Sequence, residues 1–402
     1  MNNIYWIGPR QSDIDDTNFK FAGSITIYGS NINGNTAYCS IANKRINHNV
    51  DNDDCNRFFS EKLKEICHND PKSQFLFYNF SYAYEFDDEI QKHVIGLNPY
   101  NIIDMLADKI RCRTIPFITL KGSECSFSNL CKYFCGYTEF IIQKKHSSGG
   151  EGTYIINSDS DVIELNAFDE YMISPYIKDS ISLNVHIAII NNKTIVFPPS
   201  IQIITEQDGR LLYHGADFIC YQQISEKIKN EIKNLSTKIG DFVCKRGYKG
   251  VLGIDFLLNN ETIYFMEINP RFQASSQLVN RGLLESNQSS LFEIHLQSFD
   301  LFPIRAISDF DVLYSNYVFS TNNITKTRLK KIINSCEIEK FQADGYGIDC
   351  ITPYEENSYL CRCIFKQSIC CINLNNKFTL HPNLFVEKIA SNLFDKLNSK
   401  KE

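Results

Sequence analysis

Residues 267–271 read Glu-Ile-Asn-Pro-Arg, and Asp255 lies twelve positions upstream of that glutamate. Two carboxylates and an amide oxygen are hard donors. They suit Mg²⁺, which keeps several waters and shares its other positions with nucleotide phosphates. Arg271 adds a rigid fork for a phosphoryl group. The apolar runs 251–258 and 263–268 flank Asn259-Asn260 and read as a hairpin. Alternation places Glu267 and Asn269 on one face. A strict two-residue turn at Asn259-Asn260 would set Glu267 opposite Leu252 and turn Asp255 to the other face. A shared metal held by Asp255, Glu267 and Asn269 therefore requires a three-residue loop or a bulge, for which Glu261 can supply the extra residue. The plainer alternative is an amphipathic hairpin whose acids face water.

Two further segments bear on that choice. Glu139-Phe-Ile-Ile-Gln143-Lys144-Lys145 is an apolar strand ending in cations, and it runs into the glycine-rich stretch 147–153 and a second apolar strand at 154–156. This is the pattern of a hairpin lid. Gly149, Gly150 and Gly152 would let backbone amides approach phosphate oxygens. Upstream, Leu106-Ala-Asp108-Lys109 opens a basic stretch that reaches Arg113. A lysine on a helix is by itself a solvated surface group.

In this order the segments resemble the ATP-grasp superfamily, on its biotin-carboxylase-like branch of carboxylate–amine ligases. The resemblance runs from about residue 100 to residue 300 and is carried most specifically by Asp255, Glu267, Asn269 and Arg271. It implies that Asp255, Glu267 and Asn269 hold one or two Mg²⁺ ions on the ATP phosphates, and that Arg271 stabilises the phosphoryl group in transfer. It also implies that Lys109 touches the phosphates, that Gly149, Gly150 and Gly152 close over them, and that Ser174, Tyr176 and Ile177 form the hinge that reads adenine. Two positions depart from the family pattern. The lid strand ordinarily carries a lysine where Gln143 stands, leaving Lys144 or Lys145 to supply charge; alternation keeps Gln143 and Lys145 on one face and turns Lys144 away. The hinge ordinarily carries an acid where Ser174 stands.

The rest of the chain sets bounds. Its 402 residues are enough for several domains, and the composition is that of a globular protein at 43% hydrophobic and 22% charged. A net charge of −6 predicts no general affinity for nucleic acid or anionic membranes. No run of about 18 apolar residues is present, and the N-terminus lacks signal-peptide character, so a cytoplasmic location is expected. The 15 cysteines have no paired zinc spacing and are expected to be reduced.

The expected architecture is α/β and α+β, with four parts. A small N-terminal α/β domain (1–110) has strands near 4–7, 24–28, 75–79 and 93–96. A flexible lid (111–178) precedes a central antiparallel-sheet domain (179–300), and a small C-terminal α+β domain (301–402) ends in a helix at 383–397. Gly8-Pro9-Arg10 and residues 79–84 follow strand ends and should face the ligand crevice, although Arg10 is read first as a surface ion pair. His186 shares a face with Asn184 and is a candidate nucleotide or substrate contact, although it is read first as a satisfied core or surface histidine. Gln202, Arg210 and His214 are weaker substrate-facing candidates. A helix at 222–243, with Ile224, Ile228, Ile232, Leu235, Ile239 and Phe242 on one face, should pack beneath the metal hairpin.

The expected activity is ATP-dependent ligation of a carboxylate to an amine through an acyl phosphate. The substrates would be small molecules or peptides, and a homodimer stays open. The alternatives are a carboxylase or related acyl-phosphate-forming enzyme, and a nucleotide-binding regulator without turnover.

Overall fold

The computed structural model describes residues 3–28, 36–39, 53–109, 113–121, 127–144, 153–158, 170–207, 210–321, 347–350, 358–373 and 379–382. The N-terminal part is a parallel sheet of β1 (Ile4–Arg10), β2 (Gly23–Tyr28), β3 (Thr36–Cys39) and β4 (Gln74–Phe77), in the order β3-β2-β1-β4. Helix α1 (Asp53–Asn69) buries Phe59, Leu63 and Ile66 against it, and the short α2 (Asp88–Gln91) and α3 (Tyr100–Ala107) follow. Residues 93–96 contribute a single parallel bridge, Phe75 to Val94, instead of a full strand.

The lid strands are β5 (Ile118–Lys121), β6 (Phe140–Lys144), β7 (Thr153–Ile156) and β8 (Glu170–Pro175), with α4 (Phe127–Tyr133) packed on them. Strand β6 pairs with β7 on one side and β8 on the other, all antiparallel.

The central sheet is built from β9 (Ile181–Ile190), β10 (Lys193–Val196), β11 (Ser200–Gln207), β12 (Arg210–Asp217), β13 (Gly250–Asn259) and β14 (Thr262–Asn269). Its main path runs β14-β13-β9-β11-β12, with β10 on β9. One face is a continuous apolar core holding Leu183, Val185, Leu252, Ile254 and Phe256. Burying such alternate positions is what fixes the register: a slip of one residue would expose all of them. After the short turn α5 (Phe218–Tyr221), α6 (Glu226–Cys244) adds Ile228 and Ile232 to that core. It lies on β9 and β10 and shares its core with the β13–β14 hairpin, which Lys227 also reaches at Glu261, 2.7 Å away. Phe242 is 41% exposed under the Arg246 guanidinium, 3.3 Å away. Helices α7 (Ser276–Glu285) and α8 (Leu291–Gln297) cover the face toward β1, where Trp6 packs on Phe272 and Phe292.

Three of the C-terminal strands join the large sheet and two form a sheet of their own. β15 (Ser315–Thr321) pairs with β12 and with β17 (Ser358–Phe365), which also pairs with β16 (Gly347–Cys350); β18 (Cys370–Asn373) and β19 (Thr379–Pro382) form a hairpin. Arg362 of β17 reaches the N-terminal part, donating to Ser12 Oγ at 2.8 Å and lying 3.3 Å from Asp13. Asp217 caps α5 and accepts bonds from Ser368 Oγ and from the Ile369 and Cys370 amides. That carboxylate ties the 368–370 turn to the end of β12. The terminal helix expected at 383–397 lies outside the described residues.

Candidate active site

The β13–β14 hairpin turns at Asn260-Glu261, with Asn259 paired to Thr262 and Asn260 in the left-handed region at φ 53°. This two-residue turn alone would set Asp255 opposite Met266. The ladder instead shifts by one between Phe256 and Asp255, so Met266 is the extra residue and Asp255 pairs with Glu267. A bulge was required; it sits at Met266 and not at Glu261. Ile254 then faces Ile268, and Gly253 faces Asn269. On the other side β13 pairs Asp255 with Asn184 of β9, which pairs with Ser200 of β11.

Polar side chains converge on this row. Asp255 Oδ1 accepts from Asn184 Nδ2 at 2.6 Å and Gln202 Nε2 at 3.2 Å, and its Oδ2 accepts from Asn269 Nδ2 at 2.8 Å. Ser182 donates to Gln202 at 2.5 Å, and Ser275 to Asn184 at 3.3 Å. Burial and the neighbouring Glu267 carboxylate push the Asp255 pKa up to about 7. Burial would raise Glu267 too, but Lys109, Arg113 and Arg271 outweigh it and hold its pKa below the ordinary value. Lys109 Nζ lies 3.0 Å from Glu267 Oε2. It stands just beyond the C-terminus of α3, whose helix ends at Ala107. Arg271 donates to Tyr78 Oη at 3.2 Å, to Asn269 Oδ1 at 3.2 Å and to the Phe272 carbonyl at 3.0 Å. Tyr78 and Asn79 extend β4, and Asn79 bridges to Arg271. The N-terminal sheet thus meets the end of the β13–β14 hairpin.

Two carboxylates on one rung, held against each other with a cation already seated on Glu267, form a place where positive charge is stabilised. Adding the Asn269 amide gives an all-oxygen donor set, which fits Mg²⁺ in kind. Among the described residues no group of three or more His, Cys, Asp or Glu converges, so this set is the candidate metal site.

The row opens on a cavity of about 470 Å³. Gly8, Pro9, Arg10, Tyr78 and Asn79 line it from the ends of β1 and β4, as strand-end loops of a parallel sheet should. Arg10 is a buried ion pair, its Nε 3.0 Å from Asp13, instead of a surface one. Across the cavity stand Ile141, Gln143, Thr153, Tyr176 and Ile177.

The remaining sequence candidates divide. Gln143 faces the cavity, and Tyr176 and Ile177 line it. The Tyr176 amide donates to the Glu139 carbonyl at 2.9 Å. Ser174 is buried behind the lining, within 3.4 Å of Arg113. Lys144 shares its strand face with Phe140 and Ile142, whose side chains fill the lid core, so alternation carries it away from the cavity. His186 is fully buried on Ser276 Oγ at 3.1 Å, and burial lowers its pKa to about 3; it is a neutral packing group and not a nucleotide contact. His214 stacks on Tyr317 and bonds Thr205, outside the cavity lining, whereas Gln202 belongs to the site. Lys145, Gly149, Gly150 and Gly152 lie outside the described residues. Sequence reading missed Arg113, which donates to Gln143 Oε1 and Ser174 Oγ, the two positions that depart from the family pattern.

Residues 115–275 match the ATP-grasp domain family. This chain carries an ATP-grasp domain. A formate-dependent phosphoribosylglycinamide formyltransferase of Prochlorococcus marinus is 24% identical over 225 residues, covering 52% of each chain. The chain spans about half the length, or less, of the curated relatives it matches. Among solved structures, N5-carboxyaminoimidazole synthetase from Staphylococcus aureus complexed with ADP superposes with a TM-score of 0.58 at 13% identity, over 97% of this chain and 96% of that one. The biotin carboxylase domain of Hydrogenobacter thermophilus 2-oxoglutarate carboxylase gives 0.59 at 11% identity, over 97% and 89%. The ATP-grasp fold therefore extends over nearly the whole chain, N-terminal sheet and C-terminal strands included.

Proposed function

We propose that this protein is an ATP-dependent ligase that joins a small carboxylic acid to an amine, with release of ADP and phosphate. The supporting observation is the single rung Glu267–Asp255–Asn184, flanked by Asn269 and Arg271 and facing the lid strand across one cavity. A carboxylate does not acylate an amine near neutral pH, because oxide is a poor leaving group. Transfer of the ATP γ-phosphoryl group to the acid gives an acyl phosphate, and attack by the amine then expels phosphate and a proton. Such chemistry asks a protein for positioning and charge neutralisation more than for a covalent nucleophile.

Asp255, Glu267 and Asn269 would hold Mg²⁺, which when bound neutralises phosphate charge. Asn269 Nδ2 points at Asp255 while its Oδ1 accepts from Arg271. A half-turn of that amide would present its oxygen to a metal and release Arg271 from it. Asn184 and Gln202 fix the Asp255 carboxylate through two bonds to one oxygen. Arg271, braced by Tyr78 and by the Phe272 carbonyl, is placed to bind the phosphoryl group in transfer. Closure of the lid hairpin would exclude water from the acyl phosphate.

The curated relative is named for a formate-dependent formyl transfer to phosphoribosylglycinamide, and the solved relative for N5-carboxyaminoimidazole synthesis. Formate and bicarbonate therefore join amino acids and dipeptides as acids to assay, and the amines of those two ribonucleotides join free amino acids as acceptors. The experiment is ADP release with Mg²⁺-ATP across pooled acids and amines, with Glu267→Gln as control. Stimulation by one pool, lost in the variant, is expected. Tight ATP binding with no stimulation by any pool would favour a regulatory role.

A further inference from the structure

Arg113 and Arg271 are the cavity-wall cations whose hydrogen-bond acceptors are all neutral. Arg10 is paired with Asp13, and Arg271 is bonded to Tyr78 and to the metal-site amide Asn269. Arg113 has only neutral acceptors, the Gln143 amide oxygen and the Ser174 hydroxyl, and its Nε is buried without a hydrogen-bond partner. No carboxylate lies within 4.0 Å of it among the described residues; burial lowers its pKa to about 10, and the more distant Glu267 opposes the shift without cancelling it. It remains charged at neutral pH.

Its position is fixed from a different direction than the lid. The next residue, Thr114, exchanges main-chain and side-chain bonds with Phe265: the Thr114 amide donates to the Phe265 carbonyl at 3.2 Å, and the Phe265 amide to Thr114 Oγ1 at 2.7 Å. Phe265 immediately precedes the Met266 bulge. The segment bearing Arg113 is therefore pinned to the metal hairpin, while its guanidinium reaches the lid strands β6 and β8. A half-desolvated cation with neutral partners stabilises an anion that enters beside it. The same cavity is lined by Asp255 and Glu267, a carboxylate pair suited to a divalent cation. A ligand satisfying both has an anionic chain able to touch a metal and the Arg113 guanidinium together.

We infer that Arg113 binds the phosphate chain of the nucleotide, supplying from the 113–114 segment the positive charge that Gln143 does not provide on the lid strand. This rests on the nucleotide-dependent reading above. Gln143 then acts as a positioning residue: it accepts from Arg113 and donates to Thr153 Oγ1 at 3.2 Å.

The test is calorimetric binding of ATP, ADP and adenosine in excess Mg²⁺, with adenosine read by competition where it binds weakly. The wild type is compared with Arg113→Met, Arg113→Gln and the double variant Arg113→Met/Gln143→Lys. Removing one charge-assisted contact should weaken ATP and ADP by about 10- to 100-fold and adenosine far less. Returning a cation on the lid strand in the double variant should regain most of the loss. Arg113→Gln, which can keep a hydrogen bond to the lid, carries the comparison if Arg113→Met does not fold. Unchanged ATP affinity, an equal loss for adenosine, or no recovery in the double variant would each overturn the assignment. A wild type that binds none of the three would instead overturn the nucleotide reading itself, and with it this inference.

Discussion

Replacing Lys109 by methionine should destabilise the ligand-free protein, and the size of the effect follows from the geometry. Nζ lies 3.0 Å from Glu267 Oε2, with side chains only 9% and 20% exposed. At an effective dielectric near 20 the Coulomb term at that distance is about 5 kcal/mol, before desolvation is subtracted. Methionine keeps most of the packing and removes the charge. The net loss has a ceiling, because Glu267 can escape by binding a proton. Against an ordinary value of 4.5, that escape costs about 3.4 kcal/mol at pH 7 and about 1.4 at pH 5.5. The expected loss is therefore about 2–3 kcal/mol at pH 7. The sign with pH is determined too. A carboxylate whose folded pKa is depressed contributes stability above its ordinary value and loses it as pH falls. In wild type that loss begins only below 4.5; in Lys109→Met the buried Glu267 has lost a counter-ion and takes up a proton more readily as pH falls, so the gap should narrow toward pH 5.5. Urea unfolding followed by Trp6, the sole tryptophan, fully buried against Phe272, reads this directly. In a Glu267→Gln background the same lysine change should cost under about 1 kcal/mol. Equal costs in the two backgrounds, or a gap that widens in acid, would refute the counter-ion role of Lys109.

Three other outcomes are expected. Arg271→Ala should lower turnover by about 10²–10³, as removal of a preorganised charge stabiliser does, with a smaller change in ATP affinity; steady-state kinetics on the identified substrates measures both. His295 is fully buried, accepts from the Val251 amide at 3.0 Å and bonds the Gly96 carbonyl at 2.7 Å, and burial lowers its pKa to about 4. Below pH 6.5 the unfolded chain binds its proton first, so His295 alone should remove about 1.4 kcal/mol of stability per pH unit down to about pH 4; urea midpoints from pH 7.5 to 5 check the slope, which should flatten in His295→Gln. Asp217→Ala should strip the 368–370 turn of its shared acceptor and cost about 3 kcal/mol, seen as loss of amide-exchange protection at Ile369 and Cys370.

The parts of the site that were legible in sequence are those fixed by local geometry. Asp255, Glu267, Asn269 and Arg271 lie within 17 consecutive positions of one hairpin, and alternation plus the need for a bulge was enough to demand that the carboxylates meet. The bulge position was not legible, because a turn at Asn259-Asn260 and one at Asn260-Glu261 look alike until φ at Asn260 and the pairing of Phe265 are known. Alternation likewise kept Gln143 on the cavity and turned Lys144 away. What failed depended on distant partners. For His186 the strand face left a nucleotide contact open beside the first reading of a satisfied histidine, and only Ser276 of α7, 90 residues away, decides for the latter. The pairing of the C-terminal strands was not legible either: β15 completes its hydrogen bonds on β12, about 100 positions upstream. Arg113 joins Gln143 across 30 residues and Ser174 across 61, and no local pattern links them.

Arg113 also changes how the two departures from the family pattern should be weighed. Taken one at a time, Gln143 removes a cation and Ser174 removes an acid, and each reads as a loss of nucleotide affinity. In the folded protein the two neutral groups share one guanidinium. An acid at 174 would lie within ion-pairing reach of Arg113 and neutralise it; a lysine at 143 would repel it. The three residues therefore fit one another as a set, with the single positive charge carried by Arg113 and neither repelled at 143 nor neutralised at 174. The difference lies in what carries it. A lysine on the lid moves with the lid, whereas Arg113 is pinned through Thr114 to the strand that bears Glu267. If Arg113 binds the phosphate chain as proposed, opening the lid would break its bonds to Gln143 and Ser174 and leave it in place beside the β13–β14 hairpin.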